Sequence, residues 1–577
     1  MRATGESWAP RLLTVGWVGV GVAPVVSAVA LLRTAWAPVI DNALIAAMTV
    51  DSLTADPPLV GMPTSLGSEG GVPLSHAGPL GFWLLALPTK VLGEPGNGLI
   101  VGSTLLTLAC LAGVATLLRR HGDLVLEAIG LLLVAAMAAS LGGGVLTSPF
   151  NPHLGVLPLL LCAVAVWGVL AGHHRQLYVV VLAGSVAAQT HLGNVLLVGS
   201  LVALTAAGLA FDLVRSSGAT RRRLVRRIIP IGILLGALAW IGPIIDQLFG
   251  TGNLLRLLRS QSGERPTTGL RHGLDLAAQM TSLPPRWLLD RARDQDLSDP
   301  SAARVALSVG AVVLAAALLV WSIRRRDRMV AALAVTSAVT LVVATATSSR
   351  VVDATTSRFF VVEDAVLYRL FWWPVGLLFA LTVLFGTFRV GSELVRGRAP
   401  DLDLRRLCVP ALAAAIAVSL FVTAVAHVSP DEGLEAFYSH ELASARAIAA
   451  LPGSPESVVL LIEPLAPAST TAERLPDVWD LGPDGQYGFT MNLVAQLRLR
   501  GIAVRFADES NDGITFMLAY RNEHRAAGDE PVVLLHRVGA DVHTAPPPGY
   551  RRIAVTGAGP GEPFDPLTAP SAVYVRS

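Results

Sequence analysis

Residues 303–347, ARVALSVGAVVLAAALLVWSIRRRDRMVAALAVTSAVTLVVATAT, contain two long apolar runs joined by a short charged turn. The runs, residues 303–323 and 329–347, are close to the roughly 20 residues that an α-helix needs to cross a bilayer. The turn between them, RRRDR, holds four arginines and one aspartate. The segment therefore predicts two consecutive membrane spans that meet at a positively charged turn.

Similar runs recur along the chain, and the composition agrees with them. Hydrophobic residues make up 53% of the 577 residues and charged residues 15%, against about a quarter in soluble domains. This composition excludes an ordinary soluble protein and predicts an α-helical polytopic membrane protein. We predict eleven transmembrane helices, at residues 12–34, 97–118, 124–141, 154–171, 177–190, 194–214, 228–248, 303–323, 329–347, 366–388 and 407–427.

The arginines give this arrangement an orientation. With the N-terminus in the cytoplasm, every dense cluster falls on the cytoplasmic side, as the positive-inside rule requires. The alternation holds only if residues 79–93, PLGFWLLALPTKVLG, form an interfacial helix and do not cross. We therefore expect a multi-pass plasma-membrane protein with three outer stretches, residues 35–96, 249–302 and 348–365.

The composition changes after residue 428. Residues 429–577 contain more proline, glycine and charge, and short β-rich runs alternate with helical ones. The predicted strands are SVVLLIEP, GIAVRFA, PVVLLHRV and SAVYVRS. We expect two domains, a transmembrane domain of residues 1–428 and an extracytoplasmic soluble α/β domain of residues 429–577. No nucleotide-binding fingerprint is found in the second, and the net charge of +2 is too small to indicate a nucleic-acid partner.

The first outer stretch, residues 35–96, is the most informative for function. Asp41 follows the first predicted span and precedes the helical pattern NALIAAM. A carboxylate at the membrane face is partly desolvated, which raises its pKa and suits it to accept a proton from a hydroxyl group. The alternative is that Asp41 only caps the helix, since aspartate is a common N-cap.

The same stretch continues with PPLVG and then SHAGPL, which leads into an aromatic-rich apolar helix. This order resembles the first loop of the GT-C superfamily of integral-membrane glycosyltransferases, and its style is similar to that of actinobacterial members. In that superfamily the acidic residue after the first span is the catalytic base, and a His-Pro-Pro-Leu-like sequence opens a juxtamembrane helix. The matching residues here are Asp41 for the base and Ser75, His76, Gly78, Pro79 and Leu80 for the helix start.

Two positions depart from the family pattern. Many relatives carry two adjacent acidic residues, whereas Asn42 follows Asp41 here, so a metal site formed by two carboxylates is not available at these positions. Ala77 stands where proline is frequent. We therefore assign no metal ligands and no certain cofactor, and dependence on a divalent metal stays open.

A lipid-phosphate substrate also needs polar and cationic groups on the outer side. Arginine suits a phosphate because its planar guanidinium pairs with two oxygens. The substrate-binding candidates are His76, Asn151, His153, His191, Arg358 and Arg369. Structural alternatives stay open for three of them: His76 satisfies backbone groups of its loop, Asn151 caps a loop, and Arg369 snorkels to the interface.

The resemblance implies a glycosyltransferase, transferring a hexosyl or pentosyl group from a polyprenyl-phosphate sugar donor. The acceptor would be a cell-envelope glycan, lipid or protein, and membrane lipids surround the protein. Two alternatives stay open, a secondary transporter or lipid flippase with an outer sensory domain, and a non-catalytic envelope scaffold. No internal repeat is apparent, which disfavours an inverted-repeat transporter.

Overall fold

The structure is a computed structural model and is mostly helical. It describes residues 9–33, 36, 38, 41–69, 72–260, 267–288, 300–351, 369–398, 446–451, 457–462, 493–506, 533–538, 546, 549–556 and 571–576. The helices are α1 Ala9–Arg33, α2 Asp41–Asp51, α3 Leu80–Leu92, α4 Pro95–Arg120, α5 Leu124–Leu146, α6 Asn151–Leu154, α7 Val156–Leu170, α8 Leu177–Thr190, α9 Val195–Arg215, α10 Gly218–Arg223, α11 Ile229–Ala239, α12 Ile241–Phe249, α13 Asn253–Ser260, α14 Gly269–Thr281, α15 Ala302–Arg325, α16 Arg328–Ser349 and α17 Trp372–Arg398.

Within the described residues, eight helices are long and apolar enough to cross a membrane. They are Pro10–Arg33, Pro95–Arg120, Leu124–Leu146, Asn151–Leu170, Leu192–Arg215, Ala302–Arg325, Arg328–Ser349 and Trp372–Arg396. A ninth is obtained if the broken pair Gly218–Ala239 and Ile241–Phe249 is one span. The chain is therefore a polytopic helical membrane protein.

The predicted count of eleven is not confirmed. Predicted span 177–190 is α8, a helix of 14 residues and thus about 21 Å long, which is shorter than the roughly 30 Å hydrocarbon core. Predicted span 228–248 corresponds to the broken pair. Predicted span 407–427 lies outside the described residues.

The chain divides into two compact units. The membrane unit comprises Met1–Ser27, Thr104–Ile241 and Glu264–Val428, and the loop unit comprises Ala28–Ser103, Gly242–Gly263 and Ser429–Ser577. The loop unit thus contains residues from before and after the domain boundary predicted between residues 428 and 429. That boundary stays a prediction.

Tryptophans fill the core of the membrane unit, and their indole nitrogens are satisfied locally. Trp167 on α7 donates to the carbonyl of Met329 at 2.9 Å. Trp372 and Trp373, which begin α17, donate to Ser348 at 2.9 Å and to Ser140 at 3.1 Å. Each large apolar ring therefore tethers two helices by a buried hydrogen bond, which a tryptophan needs when it is removed from water.

Ion pairs bring the charged turns of the membrane unit together at one end of its helices. Arg389 on α17 lies 2.8 Å from Asp327, in the turn between α15 and α16, and 3.6 Å from Asp123, just before α5. Arg328 lies 2.5 Å from Asp212 near the end of α9. The arginine-rich ends of these helices therefore meet, as the sequence pattern requires. Which side of the membrane this end faces stays a prediction.

The loop unit contains a hairpin and a helix that follow α2. Strands β1 Pro63–Glu69 and β2 Val72–Ser75 pair antiparallel. Helix α3 covers the segment predicted as a non-crossing helix and ends at Gly93, whose left-handed φ of 67° caps it. A Cβ on Gly98 would come within 2.3 Å of the Thr89 Cα, so a glycine at this position lets α4 approach α3 closely.

The described strands of the C-terminal segment form one mixed sheet. They are β3 Ser457–Ile462, β4 Ala503–Phe506, β5 Val533–Val538, β6 Tyr550–Thr556 and β7 Ser571–Arg576, in the order β4-β3-β5-β7-β6. Strands β4, β3 and β5 are parallel, whereas β7 is antiparallel to both of its neighbours. Four of the strands lie where the sequence predicts them. The prediction missed β6, although YRRIAVT carries its own β-branched signal.

Candidate functional site

Asp41 occupies the first position of α2, and the rest of this helix is almost wholly buried. Its side chain is half-buried. Desolvation raises the pKa of the Asp41 carboxyl from 3.8 to about 6. The helix dipole alone would lower it, so burial is the stronger effect. A raised pKa is what the sequence predicts at this position, whereas the role of base stays a prediction.

His76 lies between the hairpin and α3, and its backbone is fixed on both sides. Its N–H donates to the carbonyl of Met62 at 2.8 Å, and its carbonyl accepts from the N–H of Gly61 at 3.0 Å. The His76 residue is 8% exposed. The SHAGPL segment is therefore a rigid, buried turn.

Asn253, at the start of α13, holds this turn from a distant part of the chain. Its Oδ1 accepts from the N–H of Ser75 at 3.0 Å, and its Nδ2 donates to the carbonyls of Ser75 at 3.0 Å and His76 at 3.3 Å. These bonds use both the oxygen and the nitrogen of the Asn253 side-chain amide. They resemble the hydrogen bonds that a neighbouring β-strand would make to the same backbone. Asn253 thus holds the backbone of Ser75 and His76 in place.

Asp246 in turn holds Asn253. One carboxylate oxygen accepts from the N–H of Asn253, and the other accepts from the N–H and the hydroxyl of Thr251, all at 2.9 Å. Sequence analysis missed this link between residues 246–253 and the SHAGPL turn. Asp246 bonds residues five and seven positions further along the chain, and Asn253 bonds the distant Ser75, so a local turn pattern does not predict these contacts.

A buried ion pair joins α2 to the C-terminal segment. Asp51, fully buried at the end of α2, pairs with Arg498. Nearby, Gln496 donates to Glu94 at 3.4 Å. Desolvation raises the pKa of the Glu94 carboxyl to about 7, although the Gln496 hydrogen bond and the Arg500 and Arg446 charges oppose it. The helix that carries Asp41 is therefore fastened at its far end to residues near 496–500.

In the membrane unit, three of the predicted substrate-binding residues come together. Asn151 and His153 share the single turn of α6, and His153 interacts electrostatically with His191, which follows α8. Neither ring nitrogen of His153 nor the Nδ2 of Asn151 has a hydrogen-bond partner among the described residues, and all three atoms are buried. Buried polar atoms normally have a hydrogen-bond partner, so a water molecule or a ligand group could satisfy these three atoms.

His191 extends this cluster towards the start of α17. A Cβ on Gly193 would lie 2.9 Å from the His191 ring and 3.6 Å from the Phe371 ring, so glycine leaves room for the two rings to approach. Phe371 is two residues from Arg369. The turn before α17 thus lies close to the histidine cluster.

Arg369 is 7% exposed, so it does not snorkel into water. Its Nη1 donates to Nε2 of His272 on α14 at 2.6 Å, which requires an imidazole that is unprotonated at that nitrogen. The Arg369 Nε is buried without a hydrogen-bond partner among the described residues. Desolvation lowers the pKa of the guanidinium from 12.5 to about 10. A buried cation held by a neutral ring retains its attraction for an anion.

Two other expectations have different outcomes. Arg358 lies outside the described residues. In the part of the chain that the structure describes, no group of three or more histidine, cysteine, aspartate or glutamate side chains could hold a metal ion. His272 and the Asp246–Asn253 pair are additions that sequence analysis did not single out.

The Asp51–Arg498 pair predicts a specific pattern of stability. Arg498→Met should lower the free energy of unfolding by about 3–5 kcal/mol, because it leaves the buried Asp51 carboxylate without its cation. The double variant Asp51→Asn with Arg498→Met should recover most of this loss. Thermal unfolding of the purified protein measures both. Additive losses in the double variant would contradict the pairing.

The chain matches no known protein-family profile. No curated protein is significantly similar to it either.

Proposed function

We propose that this protein is an extracytoplasmic, inverting glycosyltransferase. It moves one sugar from a polyprenyl-phosphate carrier to a cell-envelope acceptor. The observation that carries the proposal is Asp41, a half-buried carboxylate at the start of a buried helix whose pKa is raised to about 6. A general base works best when its pKa lies close to the pH at which it operates.

The chemistry that such a carboxylate performs is proton removal from a hydroxyl group. The acceptor oxygen attacks the anomeric carbon, the bond between that carbon and the carrier phosphate breaks, and Asp41 takes the hydroxyl proton. One displacement inverts the anomeric centre. The carrier phosphate is already a good leaving group, so the protein has to supply orientation, a base and charge compensation.

Charge compensation is assigned to Arg369. Its guanidinium is buried, its partner is the neutral His272 ring, and its Nε is unused among the described residues. A phosphate could satisfy that donor and the charge together, and an arginine fork binds phosphate oxygens in pairs. Asn151, His153 and His191 supply neutral polar groups suited to sugar hydroxyls.

The loop unit supports the proposal through rigidity. Asn253 and Asp246 fix the backbone on one side of His76, and the Asp51–Arg498 pair fixes the end of α2 opposite to Asp41. Catalytic groups have to be held within a fraction of an ångström, which such clamps achieve. His76 is assigned to contact substrate from this fixed turn.

The transporter alternative has less support. Ion-coupled transporters carry ionisable residues inside the membrane that are free to bind and release their cargo. Among the described residues, Glu127 on α5 accepts from Arg119 at 2.6 Å, and Asp212 on α9 is bound by Arg328 and His174. Both acids lie near the arginine-rich helix ends, which is the placement of structural pairs.

Asp41→Asn should lower sugar transfer by roughly a hundredfold or more, because the amide cannot accept the proton. Folding stability should not fall by more than about 1 kcal/mol, since Asn is neutral, of the same size and easier to desolvate. The transfer rate is measured with a radiolabelled polyprenyl-phosphate sugar in membranes. Folding stability is measured by thermal unfolding. Asp56→Asn, an exposed acid of the same stretch, is the matched control. Near-normal transfer by Asp41→Asn would refute the assignment.

Transfer should also depend on pH with a single acidic limb. The base works only when it is ionised, so the rate should reach half of its plateau near pH 6 and fall about tenfold for each unit below that. The measurement is the rate at saturating donor between pH 4.5 and pH 8. A rate that is flat across pH 5 to pH 7 would show that Asp41 is not the titrating base.

Arg369→Gln should raise the donor concentration needed for half-maximal transfer by about tenfold or more, because a charge-assisted bond to the phosphate is lost. Arg271→Gln removes an exposed arginine from α14, the helix that carries His272, and should leave that concentration unchanged. Kinetics at varied donor concentration separate binding from turnover. If both variants change equally, Arg369 has no particular role in donor binding.

A further inference from the structure

A cavity of about 770 Å³ opens at the arginine-rich end of the membrane unit, and none of the candidate-site residues lines it. It is formed where the turn between α15 and α16 meets the end of α17 and the loops after α4 and α7. Five arginines line it, namely Arg325, Arg326, Arg328, Arg389 and Arg396. Positive-inside arginines normally lie on a convex surface in water, whereas these surround a concave space.

Carboxylates in the described part of the chain pair with three of these five arginines. Arg325 pairs with Glu393 at 2.5 Å. Arg328 and Arg389 pair with aspartates, as described above. Arg326 and Arg396 have no carboxylate partner among the described residues, although Arg396 donates to the carbonyl of Ser392. The lining is therefore a partly compensated cationic shell, in which Arg326 and Arg396 have no carboxylate partner among the described residues.

Arg326 occupies a backbone position that normally selects glycine. It ends α15 with a left-handed φ of 57°, and it is the one described residue other than glycine with a positive φ. An L-residue in this conformation costs on the order of 1 kcal/mol. A charged side chain at this position is thus kept against a local conformational preference.

Neutral hydrogen-bonding groups complete the lining. The ring of His121 stacks on Trp167 with centroids 4.3 Å apart and meets the ring of His173 edge-on at 4.8 Å. The Nε2 of His121 and the Nδ1 of His173 are buried and have no hydrogen-bond partner among the described residues. An anion with several acceptor oxygens could satisfy both the arginines and a ring N–H.

The helix beside the cavity indicates which kind of anion fits. Val309, Val313 and Val320 of α15 are all exposed, and their spacing of four and seven residues puts them on one face. This apolar face leads to the turn that lines the cavity, and Trp321 is part of the lining. A cationic cavity next to an exposed apolar helix face matches a phosphate headgroup and its acyl chains.

The geometry points to a binding site for an anionic phospholipid, with the headgroup phosphate in the arginine cavity and the acyl chains along α15. This inference does not depend on the proposed transferase activity. A soluble phosphate shares the headgroup chemistry but makes no use of the apolar face.

Native mass spectrometry of the purified full-length protein tests the inference with dioleoylphosphatidylglycerol as the probe. Wild type should retain this lipid in preference to dioleoylphosphatidylcholine. The double variant Arg326→Gln with Arg396→Gln should bind it roughly ten- to thirtyfold more weakly, as expected for the loss of two arginines that attract an anionic headgroup. Both side chains are exposed at the cavity, so an unchanged melting temperature will show that the variant is folded.

The matched control is Arg222→Gln with Arg223→Gln, which removes two exposed arginines of α10 that do not line the cavity. It should keep at least half of the wild-type lipid affinity. If both double variants lose lipid affinity equally, the loss reflects the general surface charge of the protein and the inference is overturned. Binding of glycerol 3-phosphate as tight as that of the lipid would overturn the lipid assignment and leave a soluble phosphate as the ligand.

Discussion

The free energy needed to remove a charge from water governs where this chain places its polar side chains. Most buried charges are compensated by a partner at a helix end. Glu127 is held by Arg119 and Trp17, Asp212 by Arg328 and His174, and Asp51 by Arg498. These pairs let long apolar helices end in water or at the interface without leaving a buried charge unpaired. They also gather the arginine-rich turns of the membrane unit.

Asp41 and Arg369 have no opposite charge beside them among the described residues, and the functional proposal depends on these two groups. Burial raises the pKa of the Asp41 carboxyl, and no cation among the described residues offsets it. Arg369 is buried against a neutral histidine. Perturbed ionisable groups of this kind are more common at functional sites than elsewhere.

Much of this could be read from the sequence, because it follows from local patterns. Apolar run length predicts most of the spans, arginine spacing predicts that the charged turns meet, and a carboxylate at the start of a buried helix predicts a raised pKa. The apolar run of α8 has the same 14 residues in the sequence as in the structure, so its shortness could have been recognised there. The sequence could not connect Asn253 to Ser75 or His272 to Arg369, because those contacts depend on tertiary placement across many residues.

The Asp51–Arg498 bond also constrains how the protein is made. Its two residues are 447 positions apart, so a ribosome has synthesised nearly the whole chain before Arg498 exists. Until then the Asp51 carboxylate at the end of α2 lacks this cation, which makes burial of that helix less favourable. We therefore expect the loop unit to complete its folding only after the C-terminal segment has been synthesised. A chain that ends before residue 498 should leave Asp51 without this ion pair at the end of α2.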